Sequence, residues 1–488
     1  MCCKSNHVVR TRFAPSPTGF MHVGNLRTAL YAYLLAKSSG GSFVLRIEDT
    51  DQARYVDGAV QVIYDTLASA GLFHDEGPDK PGEYGPYIQS ERRSLYGKYA
   101  AELVEKGAAY YCFCNKREED TDEAEDTAVV DASCVCPCRD MDPATAAQMV
   151  RDGKSFVIRQ KIDRSGVSVF HDTVFGDITI ENKVLDDQIL LKSDGMPTYN
   201  FANVVDDHLM NITHVVRGSE YLSSTPKYNL LYDAFGWEQP VYVHLPLIMG
   251  RNEQGEVSKL SKRHGSVSFE NLVAEGYLAE AIVNYIALLG WSPKSDQEIF
   301  SLKELSERFD VSGLNRSPAV FDYDKLRWMN SEYIKAMPFE QFSEAAFTFA
   351  DLPDALAGAW NQIAALLHQR TELLAEIPGK IAFLAELPEY GTDLFFNKKS
   401  KCSPEVAKAI LEEVIPAFEA LPEISPEAVG GVIANYAEVH QVKLGQPMWA
   451  VRIALSGLSV TPGGPGEIMT ILGKEESLRR LNAGLAKL

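Results

Sequence analysis

The sequence predicts an α/β protein with a parallel β-sheet, an inserted α+β subdomain and an all-α C-terminal region. Three observations predict it. A strand, a glycine-bearing loop, a helix and a second strand follow one another within residues 8–47. Alternating apolar residues and clustered cysteines interrupt this pattern between 93 and 196, and from 332 to 488 the apolar spacing is almost wholly helical. At 488 residues the chain is too long for one compact core, so we expect several domains.

The first element group is a βαβ unit. Residues 8–13 indicate a strand, PSPTGFMHVGN indicates a loop, and LRTALYAYLLAKSS has helical spacing that stops at Gly40 and Gly41. SFVLRIE indicates the second strand. Strands joined in this way run parallel, and ligands bind at their C-terminal ends. The loop between the first strand and the helix is therefore the first candidate site.

That loop has the properties of a phosphate site. A helix beginning at Gly24 or Asn25 directs unpaired backbone N–H groups and the positive end of its dipole at the loop. Gly19 and Gly24 allow close approach of a phosphate, and His22 is placed to donate to a phosphate oxygen. The spacing matches neither the Walker pattern nor GxGxxG. Taken alone, a simple turn is the commoner explanation of such a loop.

The charge is strongly acidic overall but unevenly distributed. The chain has 47 basic and 67 acidic side chains, a net charge of −20, which at first argues against a polyanionic partner. Yet residues 1–47 hold six Lys or Arg and no acid, while residues 118–131 hold eight acids. The net value therefore does not exclude a nucleic acid bound along a narrow basic track. The sequence has neither a bilayer-length apolar run nor a signal-peptide core, so we expect a cytoplasmic protein.

Five of the eight cysteines are clustered. Cys112-x-Cys114 and the later Cys134-x-Cys136-x-Cys138 flank the acidic run and supply enough thiols for a tetrahedral Zn²⁺ site, with one in excess. The spacing is CxC rather than CxxC, so free structural cysteines remain the alternative. The other three cysteines have no matching partners and receive no role: Cys2, Cys3 and Cys402.

A second basic segment lies at 259–265. KLSKRHG holds three cations and a histidine after the turn-rich stretch GRNEQGEVS. Two lysines three residues apart would neutralise the charge that develops on a triphosphate as pyrophosphate departs. A solvated basic loop is the alternative when this segment is considered alone.

Together the motifs resemble a known family. TRFAPSPTGFMHVGNLRTAL followed by FVLRIEDTD is similar to the opening of glutamyl-tRNA synthetases, which are class I aminoacyl-tRNA synthetases. HVGN stands where that class has its HIGH signature, with Asn25 in place of the final His, and KLSKR resembles its KMSKS loop. The HIGH-like motif comprises Pro15, Ser16, Pro17, Thr18, Gly19, His22, Val23, Gly24 and Asn25. The KMSKS-like motif comprises Lys259, Leu260, Ser261, Lys262 and Arg263.

The resemblance implies which residues bind ATP and glutamate. The expected catalytic or ATP-contacting residues are His22, Gly24, Asn25, Lys259 and Lys262, with Lys262 the main lysine. A γ-carboxylate is told from an amide by a cation, and Arg offers a rigid two-pronged fork. The implied glutamate pocket contains Arg12, Ala14, Ser16, Glu48, Tyr199 and Arg217, with Glu48 holding the substrate ammonium. Alone, an Arg or Glu is more often part of a surface ion pair.

The family also bears on the cysteines, because some bacterial members carry zinc in the inserted domain through a CxC pair and a later pair. By that likeness the ligands are Cys112, Cys114, Cys136 and Cys138, with Cys134 the alternative to one of the later pair. Four protein ligands leave no open position, so the zinc would be structural.

The implied architecture is a Rossmann-type class I synthetase catalytic domain, an inserted α+β subdomain and an all-α anticodon-binding region. The expected boundaries are 1–92 for the first half of the catalytic domain, 93–196 for an acceptor-binding insertion with the cysteines, 197–267 for the second half with the KLSKR loop, 268–331 for a helical stem-contact region and 332–488 for a helical anticodon-binding domain.

The implied activity is the ATP-dependent charging of tRNA(Glu). Glutamate and ATP, bound with Mg²⁺, would give glutamyl-adenylate and diphosphate, and glutamate would then pass to the 3′ end of tRNA(Glu) with release of AMP. We expect a monomer with no membrane partner.

Three alternatives remain. A glutaminyl-tRNA synthetase would have a β-barrel C-terminal part, a tRNA-modifying paralogue would lack the anticodon domain, and a catalytically inactive relative would have lost one of the two ATP motifs.

Overall fold

A computed structural model describes residues 8–51, 54–114, 136–252, 254–261, 264–265 and 267–488, with the side chains of all but 354 and 355. Cys2, Cys3, Cys134, Lys262 and Arg263 lie outside these residues. The chain divides into two compact units. The first comprises residues 1–273 and 279–323, and the second comprises 274–278 and 324–488.

The predicted βαβ unit is confirmed. Strand β1 (Arg10–Phe13), helix α1 (Val23–Ser38) and strand β2 (Ser42–Leu45) follow in order, and β1 pairs with β2 in parallel from Arg10↔Ser42 to Phe13↔Leu45. The helix begins at Val23, slightly earlier than predicted, because the His22 side chain caps it. Almost the whole inner length of α1 is buried, as expected of a crossover helix packed on a sheet.

Besides the β1–β2 pair, ten further strands of the described residues form three small sheets. The strands are β3 (Ala109–Cys112), β4 (Val157–Gln160), β5 (Val167–Asp172), β6 (Gly176–Glu181), β7 (Ile189–Leu191), β8 (His214–Gly218), β9 (Val241–Leu245), β10 (Ile248–Arg251), β11 (Val257–Lys259) and, near residue 320, β12 (Ala319–Val320). Their orders are β6-β5-β9-β8, β3-β4-β7 and β11-β10-β12. Strands β8 and β9 are parallel, and the backbone N–H of Thr213 donates to the Arg10 carbonyl at 2.9 Å, which places β8 beside β1.

Within the predicted insertion, the alternating residues TVFGDITI indicate one strand, and this prediction is partly wrong. Residues 173–175 form a turn between β5 and β6, and Gly176 takes the positive φ of 81° that this turn requires. Strand β5 was not predicted, because its outward residues Val167 and Val169 are exposed and blur the alternation. Through Asp172↔Tyr242 the hairpin joins β9, so part of segment 93–196 lies in the same sheet as β8 and β9.

The described residues of the first unit form eight further helices, which cover or connect these sheets. They are α2 (Ala59–Ser69), α3 (Arg93–Glu105), α4 (Pro143–Arg151), α5 (Tyr199–Leu209), α6 (Thr225–Phe235), α7 (Phe269–Ala274), α8 (Ala279–Ala287) and α9 (Leu302–Arg308). The helices α3, α5 and α6 pack with β4 and β7 around one core that includes Tyr96, Phe201 and Leu231.

The second unit is helical over its described residues, as predicted. Its helices are α10 (Tyr323–Ala336), α11 (Phe339–Phe347), α12 (Asp354–Ala357), α13 (Trp360–His368), α14 (Ile377–Ala385), α15 (Pro404–Glu419), α16 (Pro426–Val439), α17 (Gly445–Ser456) and α18 (Pro465–Lys487). One apolar core runs through them. Pro404 is the first residue of α15, where proline is favoured because its missing N–H would be unpaired anyway. In the described part of the chain, no helix combines the length and the apolar character that crossing a membrane requires.

Candidate active site

The predicted phosphate loop ends in a capped helix. The Nδ1 atom of His22 accepts a hydrogen bond from the backbone N–H of Gly24 at 3.0 Å. Because Nδ1 is an acceptor, the proton of the neutral imidazole lies on Nε2. Burial, and then the nearby cation of Lys259, lower the pKa of His22 and keep it neutral. His22 therefore presents one N–H donor, as the phosphate interpretation requires.

Two glycines fix the shape of this loop. Gly19 has a φ of 120°, a conformation that L side chains rarely adopt, so it allows the chain to turn between the strand and the helix. At Gly24 a Cβ atom would lie 3.2 Å from His22 Nδ1 and would crowd the cap. The loop can thus bring backbone N–H groups of the first turn of α1 toward an anion.

The described residues at the two ends of segment 259–265, called the lysine segment below, lie close to the start of α1. The backbone N–H of Val23 donates to the carbonyl of Val267 at 2.8 Å, and that of Phe269 donates to Met21 at 3.1 Å. Lys259 ends β11 and is close enough to lower the pKa of His22. The two ATP motifs predicted from the sequence are therefore adjacent, although Lys262 and Arg263 are outside the described residues.

His264 forms hydrogen bonds with residues on both sides of Lys259. His264 Nδ1 accepts from the backbone N–H of Ser261 at 3.1 Å, and its Nε2 lies 3.1 Å from the hydroxyl of Ser258. A Cβ at Gly250 would lie 2.5 Å from the same ring, so glycine is required where β10 passes under it.

A cavity of about 280 Å³ opens beside the N-terminus of α1. All six residues predicted for glutamate recognition line it: Arg12, Ala14, Ser16, Glu48, Tyr199 and Arg217. Asn25 and Thr28 of α1 line it too, so the cavity and the phosphate loop are continuous. Tyr199 begins α5, and its ring lies 5.8 Å from that of Tyr221.

One wall of the cavity is built on a buried ion-pair network. Arg12 is paired with Asp207 at 3.1 Å, and Arg46 is paired with both Asp207 at 2.7 Å and Glu48 at 2.8 Å. These side chains are almost completely buried. Arg12 is thus already neutralised by a carboxylate, and burial raises the pKa of Glu48 even though Arg46 and Arg12 oppose the rise.

A further pair, Arg92 and Asp206 at 2.7 Å, joins the network because Arg46 Nε lies 4.0 Å from Asp206 Oδ2. Three arginines and three carboxylates therefore meet in one buried cluster. Sequence reasoning missed Arg46, Arg92, Asp206 and Asp207. The acidic pair in NFANVVDD could have indicated this network. Two adjacent carboxylates on a largely apolar helix are expected to be buried and therefore to require positively charged partners.

Arg217 has a different environment from Arg12, Arg46 and Arg92. It is 5% exposed, and among the described residues no carboxylate lies within ion-pair distance of it. Its Nε donates to His244 Nε2 at 3.1 Å and its Nη2 donates to Thr225 Oγ1 at 2.7 Å. The rings of Tyr221, Tyr228 and Tyr242 surround the guanidinium, with the closest ring centre 4.7 Å away.

Sequence reasoning also missed His244 and Thr225. His244 Nδ1 lies 2.7 Å from Asp172 Oδ2, so Nδ1 carries the proton and Nε2 accepts from Arg217. Burial lowers the pKa of His244 to about 4, despite the hydrogen bond to Asp172. His244 is therefore neutral at physiological pH. A single histidine in the strand sequence VYVHL carries no signal that separates this role from ordinary core packing.

Four of the predicted thiols form a metal-sized cluster. The Sγ atoms of Cys112, Cys114, Cys136 and Cys138 all lie within 4.8 Å of one another, and three of the distances are 3.4, 3.6 and 3.8 Å. A tetrahedral zinc with Zn–S bonds of about 2.3 Å separates its sulfur atoms by about 3.8 Å. The backbone N–H of Phe113 also donates to Cys138 Sγ at 3.4 Å. The donor set fits a structural Zn²⁺ ion.

Replacing Cys112 and Cys114 together by serine is expected to abolish stoichiometric zinc and lower the melting temperature, because two of four ligands are lost. Metal analysis and thermal unfolding of the purified protein measure both effects. A Cys402→Ser variant, which changes a buried thiol of the second unit, should keep its zinc. Purified wild-type protein without zinc would contradict the assignment.

The fold and the paired ATP motifs define a class I aminoacyl-tRNA synthetase. The family model "tRNA synthetases class I (E and Q), catalytic domain" matches residues 8–328, and the model "Anticodon binding domain" matches 323–485. The chain is 53% identical over 485 residues to a "Glutamate--tRNA ligase" of Clostridium botulinum strain Hall, and 52% identical to one of Clostridium novyi strain NT, with 98% of each chain covered. The chain belongs to the glutamate–tRNA ligase family of class I tRNA synthetases.

Solved structures agree with this family. A glutamate tRNA ligase from Elizabethkingia meningosepticum, determined "in complex with its amino acid", superposes with a TM-score of 0.84 at 34% identity and covers 99% of this chain and 100% of its own. The glutamate-tRNA synthetase of Elizabethkingia anophelis superposes with a TM-score of 0.85 at 33% identity, covering 98% and 100%. Both the predicted catalytic fold and the anticodon-binding domain are thereby confirmed, and so is the family resemblance.

Proposed function

We propose that this protein activates L-glutamate with ATP and transfers it to the 3′ end of tRNA(Glu) for protein synthesis in the cytoplasm. The observation that carries the proposal is Arg217, a buried guanidinium that pairs directly with no carboxylate of the described residues, in a cavity continuous with the phosphate loop. Such a group binds a carboxylate and rejects an amide, because an amide leaves the cation unpaired. The relatives named as glutamate–tRNA ligases support the same choice.

The side chain of glutamate has a defined place in this cavity. Its γ-carboxylate pairs with Arg217, and its ammonium binds toward Glu48, which lines the same cavity. The α-carboxylate then faces Asn25 and Thr28 at the start of α1. This orientation brings the nucleophilic oxygen to the end of the cavity where the phosphates of ATP bind. The two reacting groups are thereby held together in a fixed geometry, which lowers the entropic cost of the reaction.

Activation requires no side-chain nucleophile. The α-carboxylate attacks the α-phosphate of ATP, an acyl–phosphate bond forms, and diphosphate leaves with the electrons of the broken P–O bond. His22 Nε2–H, the N–H groups of the first turn of α1 and the cations of the lysine segment stabilise the charge on the phosphate oxygens. Mg²⁺ bound with ATP neutralises part of that charge.

Transfer completes the reaction. A hydroxyl of the terminal adenosine of tRNA(Glu) attacks the activated carbonyl, and AMP leaves. The second unit, which the anticodon-binding model matches, binds the anticodon arm. We place the contacts of tRNA on the predicted domains 93–196, 268–331 and 332–488, and expect affinity to fall steeply as salt rises because the partner is a polyanion.

Aminoacylation of purified tRNA(Glu) and tRNA(Gln), each with glutamate and with glutamine, tests the function. We expect glutamate to be charged onto tRNA(Glu) in an ATP-dependent reaction, and glutamine not to be charged, since an amide cannot pair with Arg217. Failure to charge glutamate onto either tRNA contradicts the proposal. Charging of both tRNAs with glutamate would identify a non-discriminating enzyme of the same function.

A further inference from the structure

The environment of Arg217 contains two neutral acceptors at fixed positions. His244 Nε2 accepts from the Nε of Arg217, and Thr225 Oγ1 accepts from its Nη2. Thr225 is itself fixed, because its hydroxyl donates to the carbonyl of Tyr221 at 2.8 Å. A guanidinium has five N–H donors, so contacts among the described residues use two of them, and three remain, including both on Nη1. The acceptors therefore orient the group and leave it able to bind a ligand.

A comparison with the neighbouring arginines shows what neutral acceptors change. Arg12, Arg46 and Arg92 each contact a carboxylate directly, and each is thereby neutralised. A carboxylate in contact with Arg217 would compete with the substrate for the same charge. Neutral acceptors fix the position of the guanidinium through hydrogen bonds but leave its charge to be paired by the ligand.

The carboxylate of Asp172 contacts His244 and is separated from Arg217 by the imidazole ring. Asp172 contacts the Nδ1 of His244, on the side of the ring away from Arg217. Its other oxygen accepts from the backbone N–H groups of Val174 and Phe175 at 2.9 and 2.8 Å, so the carboxylate cannot swing toward the cavity. His244 thus acts as a spacer that holds one tautomer and separates the carboxylate from the guanidinium.

We propose that His244 and Thr225 are positioning residues that orient Arg217 for the γ-carboxylate of glutamate without neutralising it, with Asp172 fixing the tautomer of His244. The proposal rests on the proposed function, because it concerns the selectivity of the same cavity for glutamate over glutamine. Neither residue touches the reacting atoms. Their effect reaches the substrate only through the guanidinium.

Thr225→Val tests the hydroxyl, because valine keeps the shape of threonine and removes the acceptor. We expect the KM for glutamate in tRNA-dependent ATP–pyrophosphate exchange to rise roughly ten- to a hundredfold, which is the effect of losing one hydrogen bond to a charged group. The KM for ATP should not change. Thr225→Ser restores the hydroxyl and should recover most of the glutamate affinity.

His244→Asn and His244→Gln separate the two sides of the imidazole. Asparagine reaches the position of Nδ1 and can keep the hydrogen bond to Asp172, while glutamine reaches the position of Nε2 and can keep an acceptor for Arg217. We expect the asparagine variant to raise the KM for glutamate and to lower the preference for glutamate over glutamine, and the glutamine variant to be closer to wild type.

The outcomes distinguish this inference from the proposed function. Exchange that is glutamate-dependent in the wild type, with a selective rise in glutamate KM for Thr225→Val and recovery in Thr225→Ser, supports the inference. Equal kinetics of the valine and serine variants overturn it. A fall in the melting temperature together with a rise in the KM values for both glutamate and ATP also overturns it, because that pattern indicates a structural role alone. A wild type without glutamate-dependent exchange overturns the proposed function itself.

Discussion

Replacing Arg217 by methionine should lower kcat/KM for glutamate by roughly 30- to 5,000-fold, since truncating one partner of a buried charge pair costs about 2–5 kcal/mol and about 1.4 kcal/mol is tenfold in rate. Methionine keeps an apolar stem of similar length but cannot pair with a carboxylate. ATP–pyrophosphate exchange in the presence of tRNA, over a range of glutamate concentrations, measures the effect. The loss should appear mainly in the KM for glutamate if the pair forms equally in the ground and transition states.

The same substitution should leave the protein folded. No carboxylate in the described part of the chain contacts Arg217 directly, so removing its charge leaves no adjacent buried anion of that part unpaired. We expect the melting temperature to move by only a few degrees. Arg217→Lys keeps the charge without the planar fork and should be intermediate. Lys80→Met is the matched control, because Lys80 is exposed, its Nζ donates to the carbonyl of His74 at 3.3 Å, and it lies outside the three domains to which we assign tRNA contacts. Wild-type kinetics in Arg217→Met would contradict the role of this residue.

The local part of the fold could be predicted from the sequence. The βαβ unit from β1 to β2 is contiguous, and its helix, turn glycines and short strands are all specified within about forty residues. The hairpin of β5 and β6 was misplaced because two exposed valines on β5 break the alternation expected of a half-buried strand. Its pairing with β9 depends on residues about 70 positions apart, which no local pattern reveals.

In the candidate site too, the residues that belong to local motifs could be predicted, and their distant partners could not. Cys112 and Cys114 were recognised because two ligands one residue apart reach the same metal, and the later pair repeats the spacing. Arg12, Glu48 and Arg217 were predicted because the segments that contain them resemble motifs of the family, and all three line the cavity. The partners that determine their charge state were not found, because Asp207 and His244 come from elements far away in the chain and carry no spacing signal of their own.

Replacing Asp207 by asparagine should have the largest effect on stability. Its carboxylate pairs with Arg12 at 3.1 Å and Arg46 at 2.7 Å in a fully buried position, so the amide would leave two cations short of a counter-charge. Breaking a buried pair by removing one partner costs about 3–5 kcal/mol. Equilibrium urea unfolding at pH 7 measures this loss in the free energy of unfolding.

The loss of unfolding free energy in Asp207→Asn should become smaller as the pH falls. Burial alone would raise the pKa of Asp207, but Arg12 and Arg46 outweigh it and hold that pKa below its usual range. The stabilisation by a carboxylate with a lowered pKa is complete above the unfolded value of about 4 and is lost as the pH falls through the folded value. The difference between wild type and Asp207→Asn should therefore be full at pH 7 and shrink below about pH 4.

A matched control separates this network from ordinary surface charge. Asp177 lies on the β5–β6 hairpin and is 79% exposed beside His171, so Asp177→Asn should change the free energy of unfolding by no more than about 0.5 kcal/mol. Equal urea midpoints for Asp207→Asn and wild type at pH 7 would contradict the stabilising role of the ion-pair network. The contrast with Arg217→Met is informative, because Arg12 and Arg46 pair with a carboxylate and stabilise the fold, while Arg217 is held by neutral acceptors and keeps its charge for a ligand.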